Sequence, residues 1–472
     1  MVLSRCFVLV VLLALTGACS ATEACPRDAH SGFEPRAPFD ARASVRRVDC
    51  GFLSSVQGLA LGPDGSTWLR RTEFEDRGEE SFFAPPVKRM TRVGPDGELL
   101  GEFPIGEVVQ HFTVHPSGEL TVMGWDVQED PLRLQVRRLR PDGSLLAERV
   151  LVSGLPSEER LSYAAYPDGR VERVTLTAAE QGLGALAMVA HGEDAVLLLG
   201  MDGLRLLRLD AALDTRWMEV VSPSVVLRAD TLDEMRALGA PFSGWALGVD
   251  AAGDIHVASP FLVAHRSAYQ DALGRVPEGP EGRGILLTRF DGAGTRQSAR
   301  TLPAAHVEEI TGLAVEGAAF AVGAKALSPL TGTEGKSTDQ DLFFASGRWD
   351  RPAEEVVLRA FSLENDDHPS AFVACGAGRY CFAGHTGYVD LDTGGRTLTN
   401  GKGFLLAVDA QGQPVDSLRL EGPRDTEVVA AVSRPDGSLV FAFATDQAPN
   451  PARVSNGQKN NETWLGVLAP AP

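Results

Sequence analysis

Outside its first eighteen residues this chain has no apolar run long enough to cross a bilayer, which excludes a membrane-spanning helix there. It has no G-x-S-x-G, no H-E-x-x-H, no C-x-x-C and no complete phosphate-binding G-x-x-x-x-G-K-[ST]. Gly335-Lys336-Ser337 has the end of that last motif, but Leu330 stands where its first glycine belongs. Positive charge is scarce: 44 Lys and Arg stand against 63 Asp and Glu, a net charge of −19. A chain this acidic is repelled by phosphate backbones, so nucleic acid is excluded as a partner, and anionic membrane surfaces are too unless the chain is anchored. What is abundant is turn chemistry. Fifty Gly and 29 Pro favour many short strands over long helices, and 44% apolar residues are enough to build a core.

The first eighteen residues read as an export signal. Arg5 is the lone charge before an apolar run from Phe7 to Ala18, which is too short for a span. The run ends in Leu15-Thr16-Gly17-Ala18-Cys19-Ser20, small residues before a cysteine that resemble a bacterial lipobox and make Cys19 the candidate lipidated residue. The motif usually carries Leu three before the Cys, and here Thr16 is there with Leu15 one further out, so ordinary secretion to the periplasm or outside is the alternative. Residues 19–43, rich in Ala, Pro, Arg and Asp, read as a tether, and 44–472 as one domain. Of six cysteines, Cys6 lies in the signal. Cys375 and Cys381 bracket a hairpin turn and are expected to face each other across its strands, and Cys25 with Cys50 is the remaining pair expected in an oxidising compartment.

From residue 44 onward the chain repeats one unit. Glu427–Phe443 shows it: an apolar run, Pro435-Asp436-Gly437-Ser438, and a second apolar run, which reads as a hairpin in which Asp tolerates and Gly favours positive φ. Hairpins come in pairs: 58–70 with 88–105, 111–125 with 132–152, 185–200 with 204–221, 244–259 with 285–302, 310–324 with 341–361, and 370–384 with 403–420. In each pair the first hairpin is small and apolar and reads as buried on both faces, whereas the second alternates and reads as half exposed. Turn glycines Gly65 and Gly437 lie 372 residues apart, about 62 per unit over six intervals, which suits four strands and their loops. The last unit, 427–468, has only three strands, and residues 44–50 are expected to supply its missing outermost strand and close the ring. The expected fold is therefore an all-β, seven-bladed β-propeller. The hairpin at 161–176 has no partner and leaves an eighth blade open. Thr231 and Glu234 form a capping box and Gly239 a C-cap for a short helix over 230–239.

RFDGAGTRQSARTL (289–302) and LLAVDAQGQPVDSLRL (405–420), with the Pro-Asp-Gly hairpins, resemble the blades of bacterial β-propeller repeat proteins of NHL-like or related type. The resemblance covers residues 44–468. It implies the architecture and leaves the function open, because propellers host enzymes, binders and scaffolds alike.

Candidate chemistry is thin. His111 and His115 have a helix-chelate spacing, but on a strand they lie about 13 Å apart and cannot share an ion. His256 and His385 fall in or after inner-hairpin strands, where a metal cluster of the central channel would draw its ligands. Asp250-Ala-Ala-Gly253-Asp254 and Asp390-Leu-Asp392 have some carboxylates of a calcium loop without its full set. No cofactor is expected beyond the option of Ca²⁺. The clearest signal is asymmetry. Turns within hairpins are short, while the connections on the opposite face, 71–86, 260–283, 325–340, 385–402 and 444–462, are long and acidic. Glu73, Glu75, Asp390 and Asp392 are the candidate binding residues there. The leading expectation is a monomeric, anchored, non-enzymatic propeller that takes a protein or glycan on that face. A lyase or hydrolase at the channel mouth, and an envelope scaffold with an apolar patch at Trp125, Trp245, Phe82, Phe83 and Phe261, are the alternatives.

Overall fold

The computed structural model describes residues 43–49, 55–73, 87–106, 109–126, 133–151, 162–175, 183–201, 203–231, 234, 243–279, 283–304, 306–327, 340–363, 367–390, 397–420, 426–446 and 461–470. Its strands form seven four-stranded antiparallel sheets and one three-stranded sheet. The seven are the blades of a β-propeller. Blades 1 to 6 take consecutive strands within 55–105, 109–151, 183–222, 246–303, 307–361 and 367–420, each sheet ordered as the chain runs. The paired hairpins read from the sequence are these blades.

Blade 7 is made from both ends of the chain. Thr426–Ser433, Leu439–Asp446 and Asn461–Leu468 supply three strands, and Ala43–Asp49 adds the outermost, running antiparallel to Asn461–Leu468 with Ala43 opposite Leu468 and Asp49 opposite Thr463. The pairing matches the expected one, and Cys50 lies just outside the described residues. Deleting residues 463–472 removes the strand between Ala43–Asp49 and the rest of the blade. The truncated protein is expected to lose solubility and to melt well below the full chain, and an unchanged melting curve would show that the ring does not depend on this closure.

The core is distributed along the seams between blades. One apolar cluster lies in each seam: Trp68, Met90, Val122 and Leu139 between blades 1 and 2, Val196, Leu206, Val257 and Phe290 between blades 3 and 4, Phe344, Phe372, Phe382 and Phe404 between blades 5 and 6. The last seam, between blades 7 and 1, holds Val440, Ala442 and Leu465 against Val56, Leu69 and Val93. Each blade thus buries both of its faces on neighbours, which accounts for the near-continuous apolar runs.

The burial gradient differs from the one read from composition. The second and third strands are the buried ones, as in Ile255–Phe261 and Gly284–Phe290, while the innermost strand, as in Ser55–Leu61, is only half buried, since one end of the seam opens on the central channel. The outermost strand is exposed: Leu99–Ile105 and Leu145–Leu151 show most of their side chains to solvent.

Turn chemistry also departs from expectation. In Arg434–Ser438 the Gly437 amide bonds the Arg434 carbonyl and the Arg434 amide bonds that of Ser438, a three-residue hairpin loop with Gly437 at φ 82°. The aspartate is not left-handed here or in any other such turn. Its carboxylate instead accepts the backbone N–H two residues on, as Asp436 does from Ser438 at 2.8 Å. Leu213 is the one non-glycine residue at positive φ among the described residues.

The unpartnered hairpin of 161–176 is not an eighth blade. Ser162–Ala165 pairs with Val171–Arg173 and, in parallel, with Ser224–Leu227 from the connection between blades 3 and 4. This three-stranded sheet meets helix α1 (Val263–Leu273), which lies within the 260–283 connection, and the Tyr163 hydroxyl donates to the Asp271 carboxylate at 2.6 Å. Tyr269 of α1 is buried with Phe261 and Leu286 of blade 4. The capping box stands, with the Glu234 amide on the Thr231 hydroxyl at 3.2 Å and the Glu234 carboxylate on the Thr231 amide at 3.1 Å, while Gly239 lies outside the described residues.

Candidate functional site

The ring has two ends. Turns within hairpins form one, and connections between second and third strands and between blades form the other. The long-connection end is more ordered than its sequence suggests. Arg379–Asp390 and Thr397–Asp409 stay paired out to Asp390 opposite Thr397, so much of 385–402 is a β-ribbon rising from blade 6 instead of a loop. Residues 260–283 carry α1. Glu73 ends the second strand of blade 1, opposite Val87, and Asp390 ends the corresponding strand of blade 6, so register puts both at this end of the ring. Glu75 and Asp392 lie outside the described residues, as do Cys19, Cys25, Phe82 and Phe83.

The histidines hold seams together. The His111 imidazole Nε2–H donates to the Ala185 carbonyl at 3.1 Å. His115 Nδ1–H donates to the Gly192 carbonyl at 3.1 Å, and because a carbonyl only accepts, its Nε2 is the acceptor for the Thr121 hydroxyl at 2.8 Å. Both bonds join blade 2 to blade 3. Burial pushes each of these imidazoles down to about 4, against the pull of its carbonyl. His256 is buried between Asp250, at 3.2 Å, and Trp349, whose indole N–H donates to Nδ1 at 3.1 Å, so it spans the seam between blades 4 and 5 and does not line a channel site. Burial lowers its pKa as well, opposed by Asp250. His385 stacks on His368 with ring centroids 4.9 Å apart and has Nδ1 3.5 Å from the Glu427 carboxylate, at the long-connection end of the seam between blades 6 and 7. Among the described residues no three His, Cys, Asp or Glu side chains come together as a metal site. The Asp250 loop is a turn: its carboxylate accepts the amides of Ala252 and Asp254, both at 2.9 Å.

The short-turn end is where adjacent blades lock. Besides His115, His191 reaches the Gly253 carbonyl at 2.9 Å, Trp217 the Gly292 carbonyl at 3.2 Å, and Ser346 the Ala410 carbonyl at 2.6 Å. Each donor comes from the preceding blade and each acceptor sits in the next blade's turn. Gly143 shows why such turns keep glycine: its φ is 85°, and a Cβ there would lie 2.5 Å from the Phe103 ring of blade 1.

Charge is paired on this face through blades 1 to 4. Arg92 meets Asp64, Arg138 meets Glu119 at 2.9 Å and Glu193 at 2.8 Å, Arg208 meets Asp194 at 2.7 Å, and Arg289 meets Asp254. At blades 5 to 7 the face opens into a cleft of about 650 Å³ lined by Glu316, Cys375, Arg379, Arg434, Asp436 and Pro470. Cys375 and Cys381 form a disulfide in its wall, with Cα atoms 5.7 Å apart. Closing so short a loop stabilises the fold by about 2 kcal/mol in the chain-entropy account.

Among the described residues the apolar-patch candidates do not come together: Phe261 is buried, Trp125 packs in the seam between blades 2 and 3, and Trp245 is exposed. Sequence reasoning missed the cleft, whose signal was the arginine at two first-hairpin turns, Arg379 and Arg434.

No family model matches the chain, and no curated protein does. Solved structures do match. The Dos1 propeller has a TM-score of 0.42 at 9% identity, over 91% of this chain and 95% of that one. The polysaccharide lyase Uly1 has 0.39 at 9%, over 85% and 88%, and a protein of unknown function from Bacteroides caccae has 0.34 at 10%, over 70% and 89%. The likeness is one of architecture. At such identities and scores it says nothing about chemistry.

Proposed function

We propose that this chain is an exported, lipid-anchored, non-enzymatic propeller that binds a protein or glycan through its long-connection face. The observation that carries the reading is that the departures from the repeat on that face are built structure. A ribbon continues blade 6 to Asp390, and α1 packs on a three-stranded sheet drawn from two separate connections. Slack insertions are tolerated at little entropic cost, but α1 packs Tyr269 on Phe261 and Leu286 of blade 4 and meets the three-stranded sheet, with Tyr163 tied to Asp271.

Register puts Glu73 and Asp390 at this end, and Glu75 and Asp392 stand two residues beyond them in the sequence, an acidity that suits a cationic partner or Ca²⁺. Replacing the four by Gln and Asn is expected to weaken binding of a lysine-rich peptide, or of Ca²⁺, by about fivefold or more, since each lost charge contact is worth a fraction of a kcal/mol. The melting temperature should stay put, and equal binding by the quadruple variant would remove the long-connection face from consideration. The anchor has its own test. Cys19→Ser should shift the protein from the membrane fraction to the soluble exported fraction, and unchanged partitioning would mean that Cys19 carries no lipid.

The second reading, a lyase or hydrolase at the channel mouth, draws on one grouping, the stacked His368 and His385 beside Glu427. Turnover of a polysaccharide that is lost in His385→Ala would favour it.

A further inference from the structure

The cleft at the short-turn end breaks a charge pattern that the rest of the face keeps. Register makes the comparison possible, because five first-hairpin turns share one closing bond, from the amide of a residue to the carbonyl four places on: Gly62 to Ser66, His115 to Glu119, Asp250 to Asp254, Cys375 to Arg379 and Arg434 to Ser438. At the last position of that turn blades 2 and 4 carry acids, Glu119 and Asp254, each paired with an arginine of the third strand, Arg138 and Arg289. In blade 1 the third-strand arginine, Arg92, takes Asp64 of the same turn.

Blades 6 and 7 reverse this. The third-strand position that holds Arg92, Arg138 and Arg289 is Ala407 in blade 6, opposite Cys381, and Val467 in blade 7, opposite Val440. The arginines have moved onto the turns. Arg379 stands where blades 2 and 4 have Glu119 and Asp254, and Arg434 stands where blade 1 has Gly62. Among the described residues neither guanidinium has a carboxylate within ion-pair distance or a hydrogen-bond acceptor, and the Arg434 Nε is buried without one. The two line one cleft with Glu316 and Asp436. Asp436 spends one carboxylate oxygen on the Ser438 amide and hydroxyl, at 2.8 and 2.6 Å, and Arg434 lies near enough only to help depress its pKa.

We propose that this cleft is a binding site for a small carboxylate-bearing ligand, held by Arg379 and Arg434 from the turns of two adjacent blades. Arginine's planar fork matches a carboxylate two bonds at a time, and a guanidinium turned to a cleft without an acceptor is the ready half of such a pair. The other charges set the class. Glu316 and Asp436 offset the two arginines, so the lining sums to zero, which admits a monoanion and disfavours phosphate dianions and polyanions. A volume of about 650 Å³ falls in the range of small-molecule pockets and leaves room for an uncharged body beyond the carboxylate. The Cys375–Cys381 disulfide fixes the turn that presents Arg379, keeping that side chain in place before the ligand arrives. The carboxylate can belong to an acidic sugar or to a peptide C-terminus, and the probes separate the two. The inference concerns the end of the ring opposite the proposed partner face and stands apart from that reading.

The test is a titration of the full-length protein with glucuronate, N-acetylglycine and inorganic phosphate, followed through the arginine Nε–Hε resonances. Saturable shifts at Arg379 and Arg434 are expected with at least one of the two carboxylates, the better one naming the source. Arg434→Gln and Arg379→Gln should each weaken that binding by about tenfold or more at an unchanged melting temperature. Arg92→Gln, on the same face but already paired with Asp64, should leave it as it was. Three outcomes overturn the proposal: no saturation by either carboxylate, phosphate binding as well as the carboxylates do, or Arg92→Gln costing as much as the other two.

Discussion

Acidification from pH 7 to pH 4 is expected to unfasten the seam between blades 2 and 3. His111 and His115 both donate across it to backbone carbonyls, of Ala185 and Gly192, and both are held neutral by burial with folded pKa values near 4. In the unfolded chain an imidazole titrates near 6.5. Between those values the unfolded state binds more protons, so stability rises with pH across the window. The contribution of each histidine is therefore complete above about pH 6.5 and is lost progressively as the pH falls towards 4. The shift corresponds to about 3 kcal/mol for each histidine at the lower limit, large beside the 5–15 kcal/mol of a typical domain. Urea midpoints measured at pH 7, 5.5 and 4 should drop steeply across this range. In His115→Gln, whose amide can still donate to the Gly192 carbonyl but cannot titrate, the protein should be weaker at pH 7 yet lose part of the slope, the rest staying with His111, His265, which burial also holds near 4, and His256, which burial lowers. Parallel pH profiles for the wild type and His115→Gln would show that the seam does not carry the effect.

The second large effect lies on the same seam, and its order is unusual. Leu213 has φ 66° in Asp210-Ala-Ala-Leu213-Asp214, where the matching turn of blade 4, Asp291-Gly-Ala-Gly294-Thr295, carries glycine at φ 89°. The reason is visible one blade earlier. In the register of the third and fourth strands Ala147 of blade 2 pairs with Arg138, as Trp217 of blade 3 pairs with Arg208. Trp217 covers Gly294, where a Cβ would lie 2.8 Å from the ring. Ala147 leaves that volume empty, and the Leu213 side chain, buried among Met123, Leu134 and Leu209, fills it. Arg149 secures the turn through the Leu213 carbonyl at 2.7 Å. Leu213→Ala keeps the left-handed strain and loses the packing, a cost of about 3 kcal/mol. Leu213→Gly loses the same packing but relieves about 1 kcal/mol of strain, so the glycine variant should be the more stable of the two. Equilibrium unfolding of both variants checks this, and the reverse order would mean that the strain is absent. Ala147→Trp combined with Leu213→Gly should recover most of the loss by rebuilding the arrangement of Trp217 over Gly294.

The architecture was readable because a propeller repeats its instructions. Pro-Asp-Gly or Asp-x-x-Gly falls at turns of blades 1, 2, 4, 6 and 7, and three strands at one end of the chain call for a fourth at the other. Burial was less readable. Strand alternation shows which residues face a seam, but all seven seams look alike from within one strand, so the second and third strands could not be ranked. The turn aspartates take a different task from the expected one, since φ is invisible in a sequence that puts Gly beside the Asp of each Pro-Asp-Gly turn. The cleft needed the blades in register: Arg379 and Arg434 are unremarkable in their own hairpins and stand out only against Glu119, Asp254 and Gly62 at matching positions. The ribbon to Asp390 was concealed by glycine-rich sequence that reads as a loop.

The strand Ala43–Asp49 also governs when this protein can finish folding. Its partner Asn461–Leu468 is made only after the strands of all the other blades, so the outer edge of blade 7 waits for them, and Ala43 meets Leu468 across 425 residues. Closing a loop that long costs about 5 kcal/mol of chain entropy beyond the fixed initiation term, unless the six intervening blades have already stacked and brought the ends near each other. Blade-by-blade stacking followed by a final latch is therefore the economical route. Until the latch closes, Ala43–Asp49 is an unpaired strand and Asn461–Leu468 an open edge, so a second chain stalled at the same stage can offer its own first strand instead. A pair of rings with exchanged latches is the misassembly this topology invites, and it becomes more frequent as the concentration of half-finished chains rises.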